Sequence, residues 1–258
     1  NNIRAIEING TFDDCQKMVK QAFSDQELNK KLFLTSANSI NVARWLPQQF
    51  YYFFAWKKWS DKKNPPVICV PSGNFGNICA GLLAHISGLP SKYFIAACNA
   101  NKVVPEFLET QNYQPQKAIA TISNAMDVGD PSNFIRILEL FHHQFSDLKN
   151  VLSSDSISDE ETRKTIKDVY EKNNYLLDPH GAVAYLALQK FLQLNPMQKG
   201  YLLETAHPVK FYEVVEPVIN EKIPIPESVK DILHKEKKSV SMNAHFENLK
   251  EYLLEKNK

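Results

Sequence analysis

Ser72-Gly73-Asn74-Phe75-Gly76-Asn77 lies between a short apolar run and a helical pattern. In that position consecutive backbone N–H groups point outward, unpaired, at the positive end of a helix dipole. Glycine lets the backbone bend and come close to a ligand. In physical terms the loop is a phosphate cradle. It contains no Gly-Lys-Ser/Thr and does not read Gly-x-Gly-x-x-Gly, so it is neither a nucleoside-triphosphate loop nor a dinucleotide fingerprint. A phosphate gripped without an adjacent lysine points to a small phosphorylated cofactor held by amides. A plain strand-to-helix turn would look the same from the loop alone. Glycine usage favours the cradle. Only 8 of 258 residues are glycine, where roughly 7% is ordinary, and Gly73, Gly76 and Gly81 crowd into this one stretch.

Asn38, Ser39 and Arg44 form a second group with chemistry to offer. Arginine presents a planar fork to phosphate oxygens, and Asn and Ser add neutral donors. On the residues alone, Ser39 serves equally well as a helix N-cap and Arg44 as a surface charge. Asp178 and His180 read as an N-cap and first-turn group. Asn99, Asn101, Asn124 and Asp127 read as loop-locking hydrogen-bonders. His207, at a helix start, could tune or shuttle a proton or simply pack on the sheet, and Lys210 reads as solvated. Cys15, Cys69, Cys79 and Cys98 form no Cys-x-x-Cys pair and have no metal-ligand spacing with His, so no metal is expected. Three of them sit in apolar runs, which predicts buried, reduced thiols and a cytoplasmic location.

The elements that must carry these residues follow from the hydropathy pattern. Pro66-Val67-Ile68-Cys69-Val70 is a continuous apolar run suited to a buried parallel strand. The glycine loop, a helix over 78–86 and a strand over 93–97 complete a βαβ unit, hence an α/β protein with a parallel sheet. Further strands are predicted over 3–8, 31–35, 118–122 and 201–205. Helices are predicted over 12–23 after a Thr11 N-cap, 40–59 with a break at Pro47, 132–145, 160–173 and 179–192. Another is predicted from Pro208, and a charged helical tail from Glu227. Residues 153–159 look like a polar linker.

Composition excludes several classes. The chain has 30 Lys plus Arg against 29 Asp plus Glu, a net charge of +1. That balance lacks the basic excess of a nucleic-acid binder or a polybasic membrane anchor. No apolar run is long enough to span a bilayer. At 43% apolar residues the chain has the makings of an ordinary folded core.

Val70-Pro71-Ser72-Gly73-Asn74-Phe75-Gly76-Asn77 resembles the cofactor-phosphate loop of the threonine synthases, a family of pyridoxal-phosphate enzymes. Residues 36–41, 94–97, 123–128, 178–185 and 204–208 also resemble motifs of that family, in the same order. The likeness covers nearly the whole chain and lies with the bacterial and fungal branch. It implies an α/β, parallel-sheet fold-type II (tryptophan synthase β-like) architecture. It also implies pyridoxal 5'-phosphate as cofactor and conversion of O-phospho-L-homoserine and water to L-threonine and phosphate. By this resemblance Gly73, Asn74, Phe75, Gly76 and Asn77 hold the cofactor phosphate and Thr205 faces the pyridine nitrogen. Asn38, Ser39 and Arg44 grip the substrate phosphate.

The sequence departs from the family pattern at two places. The family's Schiff-base lysine lies in a Phe-Lys-Asp motif, and its substrate-carboxylate loop reads Ser-Gly-Asp-Thr-Gly. Neither string occurs here. Lys57, Lys58 and Lys62 do not match that position and read as solvated helix-end charges. The chain opens on Asn1-Asn2 with no leader. The expectation is a C-terminal portion of a family member, with the N-terminal part missing. Residues 1–60 would end the smaller region, and 61–258 would form the large cofactor-binding domain with its C-terminal helices. The missing N-terminal segment would then be a partner, alongside the substrate O-phosphohomoserine, with no nucleic-acid or membrane partner. No catalytic residue is expected on this chain, and alone it is expected to be inactive. Two other readings stay open. One is a different fold-type II lyase such as a threonine dehydratase, for which the Asn38, Ser39 and Arg44 group would have no use. The other is a non-catalytic phosphate-binding module.

Overall fold

The apolar run ending at Pro71 is the spine of the molecule. In the computed structural model, which describes residues 3–233 and 235–255, it forms a strand buried at every position. The strands among the described residues are β1 (Ile6–Asn9), β2 (Val67–Pro71), β3 (Tyr93–Cys98), β4 (Leu152–Ser156), β5 (Gly200–Leu202) and β6 (Val240–Asn243). β4-β3-β2-β5 is one sheet, parallel throughout, and β1 pairs in parallel with β6 in a second. The predicted βαβ unit is β2, the helix Gly76–Ile86 and β3.

Alternation along the strands builds a core on each face of the larger sheet. Ile68 and Val70 of β2 and Phe94, Ala96 and Cys98 of β3 pack with Ile78, Leu82 and Tyr52. Val67 and Cys69 of β2 and Ile95 and Ala97 of β3 point the other way. They pack with Val183, Ala184, Ala187 and Leu188 of the helix Pro179–Leu194. Both strands are covered on both faces, which is why they read as unbroken apolar runs.

By contacts the chain divides into two compact units, Ala37–Pro224 and Asn1–Ser36 with Ile225–Lys258. The second unit holds β1, β6 and the helix Phe12–Ser24. Thr11 caps that helix in a reciprocal box with Asp14, and Lys250 pairs with Asp25 at 2.9 Å and Glu27 at 3.1 Å.

Several expectations give way. Residues 32–36 form no strand. Asp25 caps a helix, Gln26–Lys31, that uses up the start of the stretch. Residues 118–122 join no ladder, because side chains take their backbone donors. Ile119 N–H donates to Asn101 at 2.7 Å and Thr121 N–H to Asp127 at 2.9 Å. The 132–145 helix splits into Phe134–Leu140 and Phe145–Val151, with His142 and His143 at positive φ (51° and 56°) between them. Residues 153–159 are no linker. Most of them belong to edge strand β4, whose serines bond the neighbouring chain, Ser154 to the Ala96 carbonyl and Ser156 to that of Asn99, both at 2.7 Å. The C-terminal tail contains β6 as well as the helices Glu227–Leu233 and Phe246–Glu255. Pro47 does break the 40–59 pattern, into Val42–Trp45 and Gln49–Lys58.

Candidate active site

Strand order locates the site before any side chain is considered. From β2 the chain steps to β3 and β4 on one side, and β5 is added on the other. The order therefore reverses at β2, and a crevice opens beyond the carboxyl ends of β2 and β5. Open parallel sheets bind ligands at such switch points. The glycine loop leaves β2 there. The segment Glu204-Thr205-Ala206-His207 leaves β5 at the same end, since Leu202 pairs with Cys69 and the Leu203 N–H bonds the Cys69 carbonyl at 3.0 Å.

The loop has the shape of a cradle. Phe75 sits at φ 60° and ψ 13°, a left-handed conformation for a non-glycine residue, which stores backbone strain at this turn. Helix Gly76–Ile86 starts there with no side-chain cap. The first backbone bond into it is Cys79 N–H to the Phe75 carbonyl at 3.0 Å. The amides of Gly76, Asn77 and Ile78 have no protein acceptor among the described residues. Gly73 must be glycine. A Cβ there would lie 2.5 Å from the Met126 Cα. Unpaired first-turn amides on a tightly held glycine bend fit a phosphate group. Gly81 has a different reason. Its missing Cβ leaves room for the Tyr52 ring, 2.6 Å from where that atom would stand. The Tyr52 hydroxyl in turn donates to Asn77, with 2.8 Å to the carbonyl and 2.9 Å to Oδ1.

Ser39 meets this loop across 35 residues of chain. Its Oγ accepts from Asn74 Nδ2 at 3.2 Å and from Asn133 Nδ2 at 2.9 Å. A Cβ on Gly76 would stand 3.0 Å from the Ser39 Cβ. Asn38 Oδ1 accepts the Ser39 N–H at 2.7 Å. Arg44 lies in the last turn of Val42–Trp45 and is exposed.

Thr205 is exposed and lines an open cleft of about 630 Å³ with Glu204, His207, Tyr175, Leu176 and Ile223. His207 caps the turn Pro208–Phe211 through Nδ1, which accepts from Val209 N–H at 3.1 Å. Lys210 is exposed.

Behind Thr205 lies a buried polar chain. Asp178 caps the helix Pro179–Leu194 through its own carboxylate, and its Oδ1 is 2.6 Å from His180 Nδ1. His180 Nε2 accepts from the Ala125 N–H at 3.2 Å, so the ring proton sits on Nδ1 and goes to Asp178. Ala125 and Met126 are the residues that wall in Gly73. Glu204 is exposed as a residue, yet its carboxyl end is packed against Gly181, where a Cβ would lie 2.2 Å from Oε1. Burial, then the hydrogen bond and charge of Asp178, push the Glu204 pKa up to about 8. Burial also raises Asp178, but hydrogen bonds from His180 and Glu204 outweigh it, and its pKa falls below the ordinary value. The pair shares one proton, and Glu204 holds it.

Asn99, Asn101 and Asp127 lock loops. Asn99 Nδ2 reaches Thr121 Oγ1 at 2.8 Å and Asp127 Oδ1 at 2.9 Å. Sequence reasoning passed over Asn133 and Arg136, which contact Ser39 directly. The signal available was their i, i+3 spacing at the start of a helix.

These features define an anion-binding cradle at the switch point of a parallel α/β sheet. The family described as "Pyridoxal-phosphate dependent enzyme" matches residues 2–203, and the chain belongs to that family. The family "Threonine synthase, C-terminal" matches residues 181–253. A threonine synthase of Buchnera aphidicola is 46% identical over 256 residues, covering 99% of this chain and 59% of the relative. The crystal structure of threonine synthase from Escherichia coli matches with a TM-score of 0.93 at 43% identity, covering 99% of this chain and 59% of that one. A threonine synthase from Brucella melitensis with bound PLP matches with a TM-score of 0.86 at 30% identity, covering 100% and 60%. The chain thus spans about three-fifths of the length of these relatives. Its parallel-sheet α/β architecture is that of the fold-type II enzymes, and pyridoxal phosphate is the family's cofactor. Among the described residues no helix is long and apolar enough to cross a membrane.

Proposed function

We propose that this chain supplies the cofactor-phosphate and substrate-phosphate sites of a threonine synthase, which converts O-phospho-L-homoserine and water to L-threonine and phosphate. The contact of Ser39 with Asn74 carries this reading. It joins two sequence groups, each suited to phosphate, at one mouth. A lyase acting on an unphosphorylated amino acid has no use for the first of them.

Pyridoxal phosphate, when bound, supplies an electron sink for carbanion chemistry. The chain's own residues position it. Backbone amides of Gly76, Asn77 and Ile78 receive its phosphate, and the Gly73 bend, Asn74 and Phe75 hold those amides in place. Thr205 offers a hydroxyl, not a carboxylate, toward the pyridine ring. Ser39 and Asn38 hold the substrate phosphate, with Arg44 free to swing toward it. Because no Phe-Lys-Asp occurs in the sequence, the lysine that carries the cofactor belongs to a part of the parent enzyme outside these 258 residues. Lys57, Lys58 and Lys62 do not replace it. Lys62 lies over the Trp56 ring, 4.3 Å from its centroid, and bonds nearby carbonyls. The chain alone is therefore inactive on O-phosphohomoserine. The location is cytoplasmic, in keeping with four free thiols.

The test is pyridoxal phosphate titrated into the chain, with O-phosphohomoserine supplied afterwards. Reversible binding through the phosphate and no threonine is the expected result. Absence of cofactor affinity would sink the binding role. Threonine formation, with one lysine of this chain covalently carrying the cofactor after borohydride reduction, would sink the claim of inactivity.

A further inference from the structure

The side chains around Ser39 dictate which way its hydroxyl can act. Asn74 Oδ1 accepts from the Ser132 N–H at 2.8 Å and from Ser132 Oγ at 3.0 Å. That fixes the amide, so its NH2 faces Ser39. Asn133, fully buried, is fixed likewise. Its Oδ1 accepts from Arg136 at 2.6 Å, and its NH2 donates to Ser39 Oγ and, at 2.8 Å, to the Asn74 carbonyl. A hydroxyl has two acceptor lone pairs and one donor. Amide hydrogens occupy both lone pairs of Ser39, leaving only the O–H. The O–H has a long contact, 3.3 Å, to Asn38 Oδ1, which already accepts the Ser39 N–H.

Arg136 holds the arrangement from behind. Its guanidinium donates to the Ser39 carbonyl and, at 2.5 Å, to that of Ile40. These partners and Asn133 are all neutral, and no carboxylate pairs with Arg136 among the described residues. A half-buried cation with only neutral oxygens around it leaves its field directed at the site.

We infer that Asn133 and Arg136 are positioning residues that make Ser39 an obligatory hydrogen-bond donor, so that the mouth of the glycine loop accepts an anion and rejects a ligand presenting a donor. This rests on the proposed role of Ser39 toward a phosphate. Neither residue touches the ligand; both act through Ser39.

Inorganic phosphate titrated into the full 258-residue chain tests it, with thermal melting of each variant as the second readout. Asn133→Asp keeps the size and the Arg136 contact but turns an acceptor toward Ser39 Oγ, drawing its hydrogen inward. Asn133→Leu removes the donor without adding charge. Ser39→Ala and Asn133→Asp are each expected to weaken phosphate binding about ten-fold, and Asn133→Leu several-fold. Arg136→Lys keeps the charge but loses the fork across two carbonyls. It carries the same expectation and decides the matter if the Asn133 variants fail to fold. Retained phosphate affinity in folded Asn133→Asp and Asn133→Leu, with affinity lost in Ser39→Ala, would overturn the inference and leave the role of Ser39 standing. Undiminished affinity in Ser39→Ala, or a wild-type chain indifferent to millimolar phosphate, would overturn that role and the inference with it.

Discussion

His180 Nδ1 stands 2.6 Å from Asp178 Oδ1, with the two side chains 4% and 0% exposed. The ring also receives the Ala125 N–H on its far nitrogen. It therefore ties the start of the helix Pro179–Leu194 to the turn that walls in Gly73. His180→Ala takes the 2.6 Å side-chain partner from the buried Asp178 carboxylate, leaves the Ala125 N–H without an acceptor and opens a void. Leaving a buried donor or acceptor without its hydrogen-bond partner costs about 1–3 kcal/mol. Chemical denaturation is expected to show a loss of that order. His180→Asn, which restores a donor near the Nδ1 position, is expected to recover part of it.

Gly73 and Gly76 make opposite demands. A Cβ on Gly73 meets only backbone, 2.5 Å from Met126 Cα and 3.1 Å from the Ala125 carbonyl oxygen. Overpacking against fixed atoms costs about 1–3 kcal/mol, so Gly73→Ala is expected to lower the melting temperature clearly. A Cβ on Gly76 meets the Ser39 side chain at 3.0 Å, which can yield. Gly76→Ala is expected to melt near the wild-type temperature but to bind phosphate more weakly, because the Ser39 hydroxyl is displaced. Melting curves and phosphate titrations on both variants check the ordering.

The residues that spoke clearly in the sequence are those whose environment repeats along the chain. β2 and β3 were legible because both faces are covered, leaving continuous apolar runs. Thr11, Pro47 and Asp178 were legible because caps and breaks are local chemistry. β4 was not legible. Its serines bond backbone carbonyls across the sheet, so an edge strand carries the composition of a linker. β6 escaped because its partner β1 lies more than two hundred residues away. In the site, Ser39 and Asn74 were both singled out, but their contact is a product of the fold. Asn133 and Arg136 carry no pattern until that contact exists, and Glu204 looks like any surface glutamate until Gly181 is seen to admit its carboxyl group. Gly81 shows the converse. It strengthened the case for the loop by proximity, yet its role is to make room for Tyr52.

The four cysteines divide by access. Cys69, Cys79 and Cys98 are buried, and Cys15 is half-buried. Burial pushes the Cys79 and Cys98 thiols up to about 12 and raises Cys69 as well. Burial also raises Cys15, followed by the charge of Asp14. Thiolate fraction and access together set reactivity. Alkylation of the native chain at neutral pH is expected to modify Cys15 slowly and the other three only after unfolding. Mass spectrometry of peptides after a timed iodoacetamide treatment reads this directly. Early labelling of Cys69 would contradict the packing of β2.

The proton shared by Glu204 and Asp178 gives the fold a pH dependence with a definite sign. The Glu204 pKa rises from the ordinary 4.5 to about 8. Between those values the folded chain holds a proton that the unfolded chain has released. Stability from this group is then complete below the lower value and lost as pH rises through the upper one. Asp178 acts in reverse. Its pKa is lowered, so its contribution is present above the ordinary 3.8 and lost as pH falls toward its folded value. The groups facing the pair are His180, on the same helix, and Tyr175, whose phenol the two carboxylates raise after burial does. The melting temperature is expected to decline from about pH 5 to about pH 8. Glu204→Gln, which keeps a donor toward Asp178 and cannot ionise, is expected to flatten that decline. Asp178→Asn removes the charge and the acceptor that help hold the proton, so it is expected to move the midpoint of the decline to lower pH. A Glu204→Gln chain with the wild-type slope would show that another group carries the titration.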